Sequence, residues 1–189
     1  EIKPNYIENL LNACQKAEDN CVLGSISFTK SIPHKILFSG SVVKNRFLKT
    51  KKSYLPIFQQ VDPSEFKGKI LQSDTLPGRG MLIPAVMLKT LNLFDEKFKQ
   101  YHSDGDFCLR AMKNGFPVYI SWDAHIYVNE SSTGKGTSFL KEPFVHFILH
   151  FFNPISRLYL ISKARFLWRH SIKIMWPINM LLFIVISIR

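Results

Sequence analysis

The sequence predicts an α/β fold that ends in an apolar, helical tail. Helix-periodic and β-rich stretches alternate through residues 1–128, the pattern of a chain that packs helices on a sheet. Glycine and proline punctuate these stretches at their boundaries. Beyond them the composition changes, becoming aromatic, then basic, then uncharged. The 189 residues suffice for one domain with a real core, and a hydrophobic fraction of 46% excludes a disordered chain. No internal repeat and no Gly/Ser-rich linker divides the chain.

The elements follow in order. Pro4 sits at a first-turn position, and Tyr6, Ile7, Leu10, Leu11 and Cys14 then mark an amphipathic helix. Cys21 to Phe28 predicts a strand. Lys35 to Val43 is β-rich with Gly40 inside it, a bent strand or hairpin. Residues 44–76 are polar and predict a long surface excursion. Pro77-Gly78-Arg79-Gly80 is a turn, Met81-Leu82-Ile83 a short buried strand, and Pro84 opens a helix to about Leu91. A second helix follows Ser103 and stops at Asn114-Gly115. Pro117 to Ser121 and Ala124 to Val128 predict two further strands, and residues 129–138 a polar loop. In the tail, Phe144 to Phe152 is aromatic-rich and Arg157 to Lys173 is basic and aromatic. Ile174 to Ile188 is uncharged but short of the roughly 20 residues that cross a bilayer. It fits an interfacial helix, a spanning helix cut off at the chain end, or a buried core helix; Trp168, Trp176 and the flanking basic residues favour membrane contact.

The formal net charge of +11 attracts polyanions. Part of it lies in a run from Lys44 to Lys52. No zinc-finger spacing or RNA-binding motif accompanies it, so no nucleic-acid partner is expected. An anionic lipid surface or a lipid-phosphate acceptor suits the charge and the apolar tail better. Cys14, Cys21 and Cys108 form no disulfide framework and read as small, reduced, buried residues of a cytosolic domain.

Asp104-Gly105-Asp106 is the sharpest local feature. Two carboxylates at the mouth of a helix can serve as a general base and its orienting partner. The helix terminus favours their ionised form. Local physics alone favours a simpler role, because Ser103 followed three residues on by Asp106 approximates a capping box and caps are common. Gly78-Arg79-Gly80 offers close backbone approach and a cation for a phosphate or sugar hydroxyl; alone it is a tight turn. His146 and His150 have metal-ligand spacing, but no Glu follows the first, and a helix face bearing polar histidines explains them.

Residues 78–134 carry an ordered series of motifs. Gly78-Arg79-Gly80-Met81-Leu82-Ile83-Pro84 comes first, then Leu93-Phe94-Asp95-Glu96-Lys97-Phe98. Tyr101-x-x-Asp104-x-Asp106-Phe107-x-x-Arg110-Ala111, Asn114-Gly115-Phe116 and Ala124-x-x-Tyr127 follow. The series resembles the second half of the catalytic domain of family 2 glycosyltransferases, the rhamnosyltransferase-like GT-A group. It covers about a third of the chain strongly, and residues 1–28 fit the helix and strand that follow the family's metal-binding motif.

The resemblance implies that residues 1–138 are the C-terminal part of a GT-A, Rossmann-like domain; residues 139–189 read, from their own aromatic, basic and apolar residues, as a helical, membrane-associated tail. It implies transfer of a sugar from a nucleotide-diphosphate donor to a glycan or lipid-linked acceptor, usually with inversion, in cell-surface polysaccharide synthesis. Asp104 corresponds to the catalytic base. Gly78, Arg79 and Gly80 match the loop lining the sugar and acceptor pocket, and Asp106 is placed with them at the substrate. A divalent metal, Mg or Mn, is expected on an Asp-x-Asp motif upstream of Glu1, so this stretch alone is expected to be inert. Two positions depart from the pattern. Ser103 stands where many members have Glu, and Val128-Asn129 where many carry a metal-binding His, which leaves the metal ligands of this half unknown. The expected location is the cytoplasm, peripheral at the inner face of the cell membrane. The alternative is a basic, membrane-binding accessory domain without chemistry, in which the acidic pair only caps a helix.

Overall fold

The computed structural model describes residues 1–17, 20–45, 50–129 and 143–188. Its centre is a mixed four-stranded sheet. The strands are β1 (Val22–Thr29), β2 (Ile36–Phe38), β5 (Ile70–Gln72) and β6 (Val118–Val128), in the order β2-β1-β6-β5. β1 and β6 run parallel, while β2 and β5 pair antiparallel at the two sides. A separate antiparallel pair joins β3 (Ser41–Asn45) to β4 (Thr50–Ser53).

β1 is buried along its whole length because both faces are covered, which explains its apolar run. Val22, Ile26 and Phe28 face one core, with Met87 from helix α2 (Ala85–Thr90) and Phe107, Cys108 and Ala111 from helix α3 (Ser103–Lys113). Leu23 faces the other, with Tyr6, Leu10 and Ala13 of helix α1 (Tyr6–Ala17). Residues 6, 10 and 13 centre the buried stripe of α1, which leaves Ile7 and Leu11 exposed rather than in the expected apolar face.

β6 is one strand where two were expected, and its middle is displaced. Ser25 and Ile26 are consecutive in β1, but their partners are Ser121 and His125, so Trp122, Asp123 and Ala124 stand out of register. Three extra residues reverse the alternation of side chains. Val118, Ile120 and Trp122 share the core of α3, whereas Ala124 and Ile126 join the core of α1. His125 and Tyr127 therefore turn onto Phe28, with ring centroids 5.2 and 5.9 Å from it. The displaced backbone is satisfied: Trp122 N–H donates to Lys69 O (2.9 Å), His125 Nε2–H to Trp122 O (2.7 Å) and Asn9 Nδ2 to Asp123 O (3.0 Å).

Other expectations need correction. The polar excursion 44–76 contains β4, a 3₁₀ turn (Pro63–Glu65) and β5, elements too short to leave a periodic signal. Met81-Leu82-Ile83 is half-buried and forms a single bridge, Leu82 to Leu23. Cys14 is half-buried, whereas Cys21 and Cys108 are buried. Residues 46–49 of the basic run and 130–138 of the expected loop lie outside the described residues. The tail forms helices α4 (Phe144–Phe152), α5 (Leu160–His170) and α6 (Trp176–Ile188), with α5 against both α3 and α6. No helix among the described residues is long and apolar enough to cross a membrane.

Phe107 is fully buried and stacks on Phe94 at 4.7 Å. Phe107→Ala is expected to cost about 3–5 kcal/mol, from lost burial plus the cavity left behind. The urea unfolding midpoint measures it.

Candidate functional site

The Pro77–Gly80 turn is pinned at both ends. Before it, a buried hydroxyl ladder sets the chain: Ser73 Oγ–H donates to Thr75 O (2.8 Å), and Ser41 Oγ lies 2.7 Å from Thr75 Oγ1. After it, Ser25 Oγ–H donates to Gly80 O at 3.0 Å. That uses Ser25's one proton, so Tyr6 Oη–H must be the donor in its 2.7 Å bond to Ser25. Burial pushes the Tyr6 phenol pKa up, which keeps this donor protonated. Gly80 has φ +71°, and a Cβ there would collide with Ile126 and Tyr6, so glycine is required. Arg79 stands exposed between the glycines.

Helix α3 meets this turn. Its N-cap is His102 in the left-handed conformation, φ 76°, with no side-chain cap bond. Ser103 is the first helical residue and caps nothing, which overturns the expected capping box. Asp104 is the second residue, and its Oδ2 accepts the Gly78 N–H at 2.6 Å. Two segments 26 residues apart are thus joined by one carboxylate–amide bond. A carboxylate has about four lone-pair sites. One bond leaves Asp104, half-buried at the rim, with acceptor capacity for a ligand hydroxyl.

Asp106 has a different setting from the one expected at a substrate. Its side chain is fully buried, and both oxygens are engaged within the protein. Arg110 Nε donates to Oδ2 (2.9 Å), Arg169 Nη1 spans Oδ1 and Oδ2 (2.8 and 3.0 Å), and His170 Nε2–H donates to Oδ1 (2.7 Å). Burial would raise its carboxyl pKa. Hydrogen bonds from His170, Arg110 and Arg169, with the Arg169 charge, outweigh it and hold the pKa at about 2. Burial lowers the pKa of His170, so the imidazole is a neutral donor to a charged acceptor. Arg169 Nη2 also binds Asp95 Oδ2 at 2.7 Å. Arg110 reaches on to Leu91 O and Leu93 O, bracing a turn where Asn92 and Leu93 have positive φ.

Arg169 and His170 were not found by reading the sequence, and Asp95 was read only as part of the Leu93–Phe98 motif, with no role. They lie 63, 64 and 74 residues from their partners, Asp106 for the first two and Arg169 for Asp95, and no motif signals the pairing. His146 and His150 line a shallow groove on α4 beside Leu149, away from the Asp104 rim. A further cleft of about 570 Å³ opens between α1 and the displaced part of β6, lined by Lys3, His34, Phe66, Asp123, His125 and Tyr127. None of Gly78, Arg79, Gly80, Asp104 or Asp106 borders it. Among the described residues no group of three or more His, Cys, Asp or Glu is placed to hold a metal ion. No residue here is therefore assigned to the expected divalent metal. Compared with known proteins, the chain matches no family model and no curated protein.

Asp106→Asn is expected to cost about 3 kcal/mol, because it leaves Arg110 and Arg169 without their anion. The acid limb of the stability curve gives a second test. A carboxyl pKa depressed in the folded state contributes stability that is full above the unfolded value near 4 and is lost as pH falls through about 2. Unfolding free energies from urea titrations across that window should fall for the native protein by about 2 kcal/mol more than for Asp106→Asn.

Proposed function

We propose that the chain is the acceptor-side part of a GT-A, Rossmann-like glycosyltransferase domain and that Asp104 is its general base. The observation that carries this is the Asp104–Gly78 bond, which sets a half-buried carboxylate with spare acceptor capacity against the glycine turn. In the reaction, Asp104 takes the proton of an acceptor hydroxyl. The acceptor oxygen bonds to the anomeric carbon of a nucleotide-diphosphate sugar from the face opposite the leaving group. The bond from that carbon to the diphosphate oxygen breaks, and the diphosphate departs with the electron pair. The product is a glycan or lipid-linked glycan with inverted configuration. Gly78 and Gly80 keep the turn close to the sugar, and Arg79 is the cation nearest to it. Asp106 acts behind the site, holding α3 and so Asp104 in place.

This reading needs a nucleotide-binding segment ahead of Glu1, so its test uses the longer enzyme. Asp104→Asn keeps the shape and the Gly78 bond but removes the base. Transfer from a panel of nucleotide sugars is expected to fall by about 10²–10⁴-fold in kcat, with donor binding unchanged. Near-normal transfer by the variant would remove Asp104 from the mechanism. The tail's basic, apolar character also supports the second reading, an accessory domain without chemistry. Failure of the unaltered enzyme to transfer from any donor, with membrane binding intact, would favour it.

A further inference from the structure

The three tail helices turn apolar stripes outward. α6 places its one polar amide, Asn179, inward at 4% exposure, while Ile178, Leu181 and Val185, spaced by three and then four residues, form an outward stripe. Leu181 is 62% exposed. α5 buries Ser162 and His170 together with Phe166 and Leu167, and exposes Ile161 and Trp168, two turns apart on one face. α4 buries Phe147 and Phe151 but exposes Phe144, Val145, Ile148, Leu149 and Phe152. A helix packed for water shows the reverse arrangement, polar outward and apolar inward. Contiguous apolar surface of this kind marks a contact with a partner or a membrane.

Charge decides between them. Residues 144–188 contain Arg157, Lys163, Arg165, Arg169 and Lys173 and no Asp or Glu. Arg169 is committed to Asp95 and Asp106, and the rest of the tail's charge is uniformly positive. Basic and aromatic groups are interleaved at the apolar surface. Lys173 Nζ lies 4.3 Å from the Trp168 ring, Trp168 meets Trp176 edge-on at 5.9 Å, and Arg165, four residues after Ile161 and three before Trp168, shares their face of α5. Tryptophan and lysine at the border of an apolar face are the groups that settle at a headgroup layer. A second copy of the same face would set like charges against each other.

We propose that α4, α5 and α6 dock flat on an anionic lipid bilayer, with the Ile178–Leu181–Val185 stripe, Trp168 and the exposed side chains of α4 in the acyl boundary and Arg165 and Lys173 at the headgroup phosphates. No helix among the described residues is long and apolar enough to span, which suits interfacial binding. The docked tail is joined to the body by the bonds of Arg169 and His170 to Asp106, two residues from Asp104. The lipid surface therefore also fixes the orientation of the Asp104 rim. The proposal stands independently of glycosyl transfer.

The experiment is co-sedimentation of the 189-residue chain with vesicles of phosphatidylcholine doped with phosphatidylglycerol and with vesicles of phosphatidylcholine alone. The unaltered chain should bind the anionic vesicles, with a blue shift of tryptophan emission. Ile178→Ser, Leu181→Ser and Val185→Ser together should weaken binding by about tenfold or more. These side chains are about half or more exposed, so the urea midpoint should change far less than binding does. Arg165→Gln with Lys173→Gln should weaken binding to the anionic vesicles and leave the neutral ones unaffected. Asp104→Asn should bind like the native chain, which separates this proposal from the catalytic one. The proposal is overturned if the native chain stays in solution with anionic vesicles and shows no emission shift. It is equally overturned if the triple variant binds undiminished, or if the native chain is a stable oligomer that the triple variant converts to monomers.

Discussion

Asp106 is a full negative charge with no exposed surface, and such a group persists only where opposite charges and donors surround it. Arg110, Arg169 and His170 supply that environment from two helices, and Arg169 extends it to Asp95. The cluster therefore links the start of α3, the turn between α2 and α3, and the end of α5. The position of the Asp104 rim, the docking of the tail and the bracing of the strained Asn92-Leu93 turn all depend on it. Packing adds to the same junction, since Phe166 of α5 stacks on His102 at 5.0 Å and meets Phe98 and Leu109. Removing one partner would cost more than the pair contributes, because the remaining charges would be left uncompensated.

The second constraint is the displaced segment of β6. A continuous parallel pairing with β1 would have kept His125 and Tyr127 on the α1 side. The three residues out of register send them to the face of Phe28 and open the cleft beside α1. Hydrogen bonds from Asn9 and Gly68 to Asp123, and from Trp122 N–H to Lys69 O, hold this geometry, so the irregularity is a built feature of the sheet. The site and the cleft lie on different parts of the same sheet, one reached through the Gly78 turn and the other through the irregular stretch of β6.

The tail adds a third relation between chemistry and surface. In the body, apolar residues fill the two cores around β1, as water requires. In α4–α6 apolar residues also form outward stripes, while Arg169 and His170 face inward to Asp106. Each part is consistent with a different medium, and the buried ion cluster is where the two are joined.

The sequence by itself determined the mixed α/β character, the positions of α1, α2, α3 and β1 and the helical character of the tail, and it marked the Gly78 turn and the Asp104-Gly105-Asp106 segment as candidates. These signals are local: periodicity, Pro84 before a helix, Asn114-Gly115 after one. It also predicted that Asp104 and the glycine turn belong together, through an ordered resemblance rather than any local rule. Tertiary structure decided what each acid does. Spacing made Asp104 and Asp106 equivalent neighbours, yet helical geometry turns one to the Gly78 amide and the other into a ring of donors. Apart from Arg110, those donors, Arg169 and the neutral His170, lie more than sixty residues away along the chain, and long-range pairing leaves no periodic trace. The same holds for β5 and for the register of β6, which are fixed by the edge each strand finds and not by its own residues.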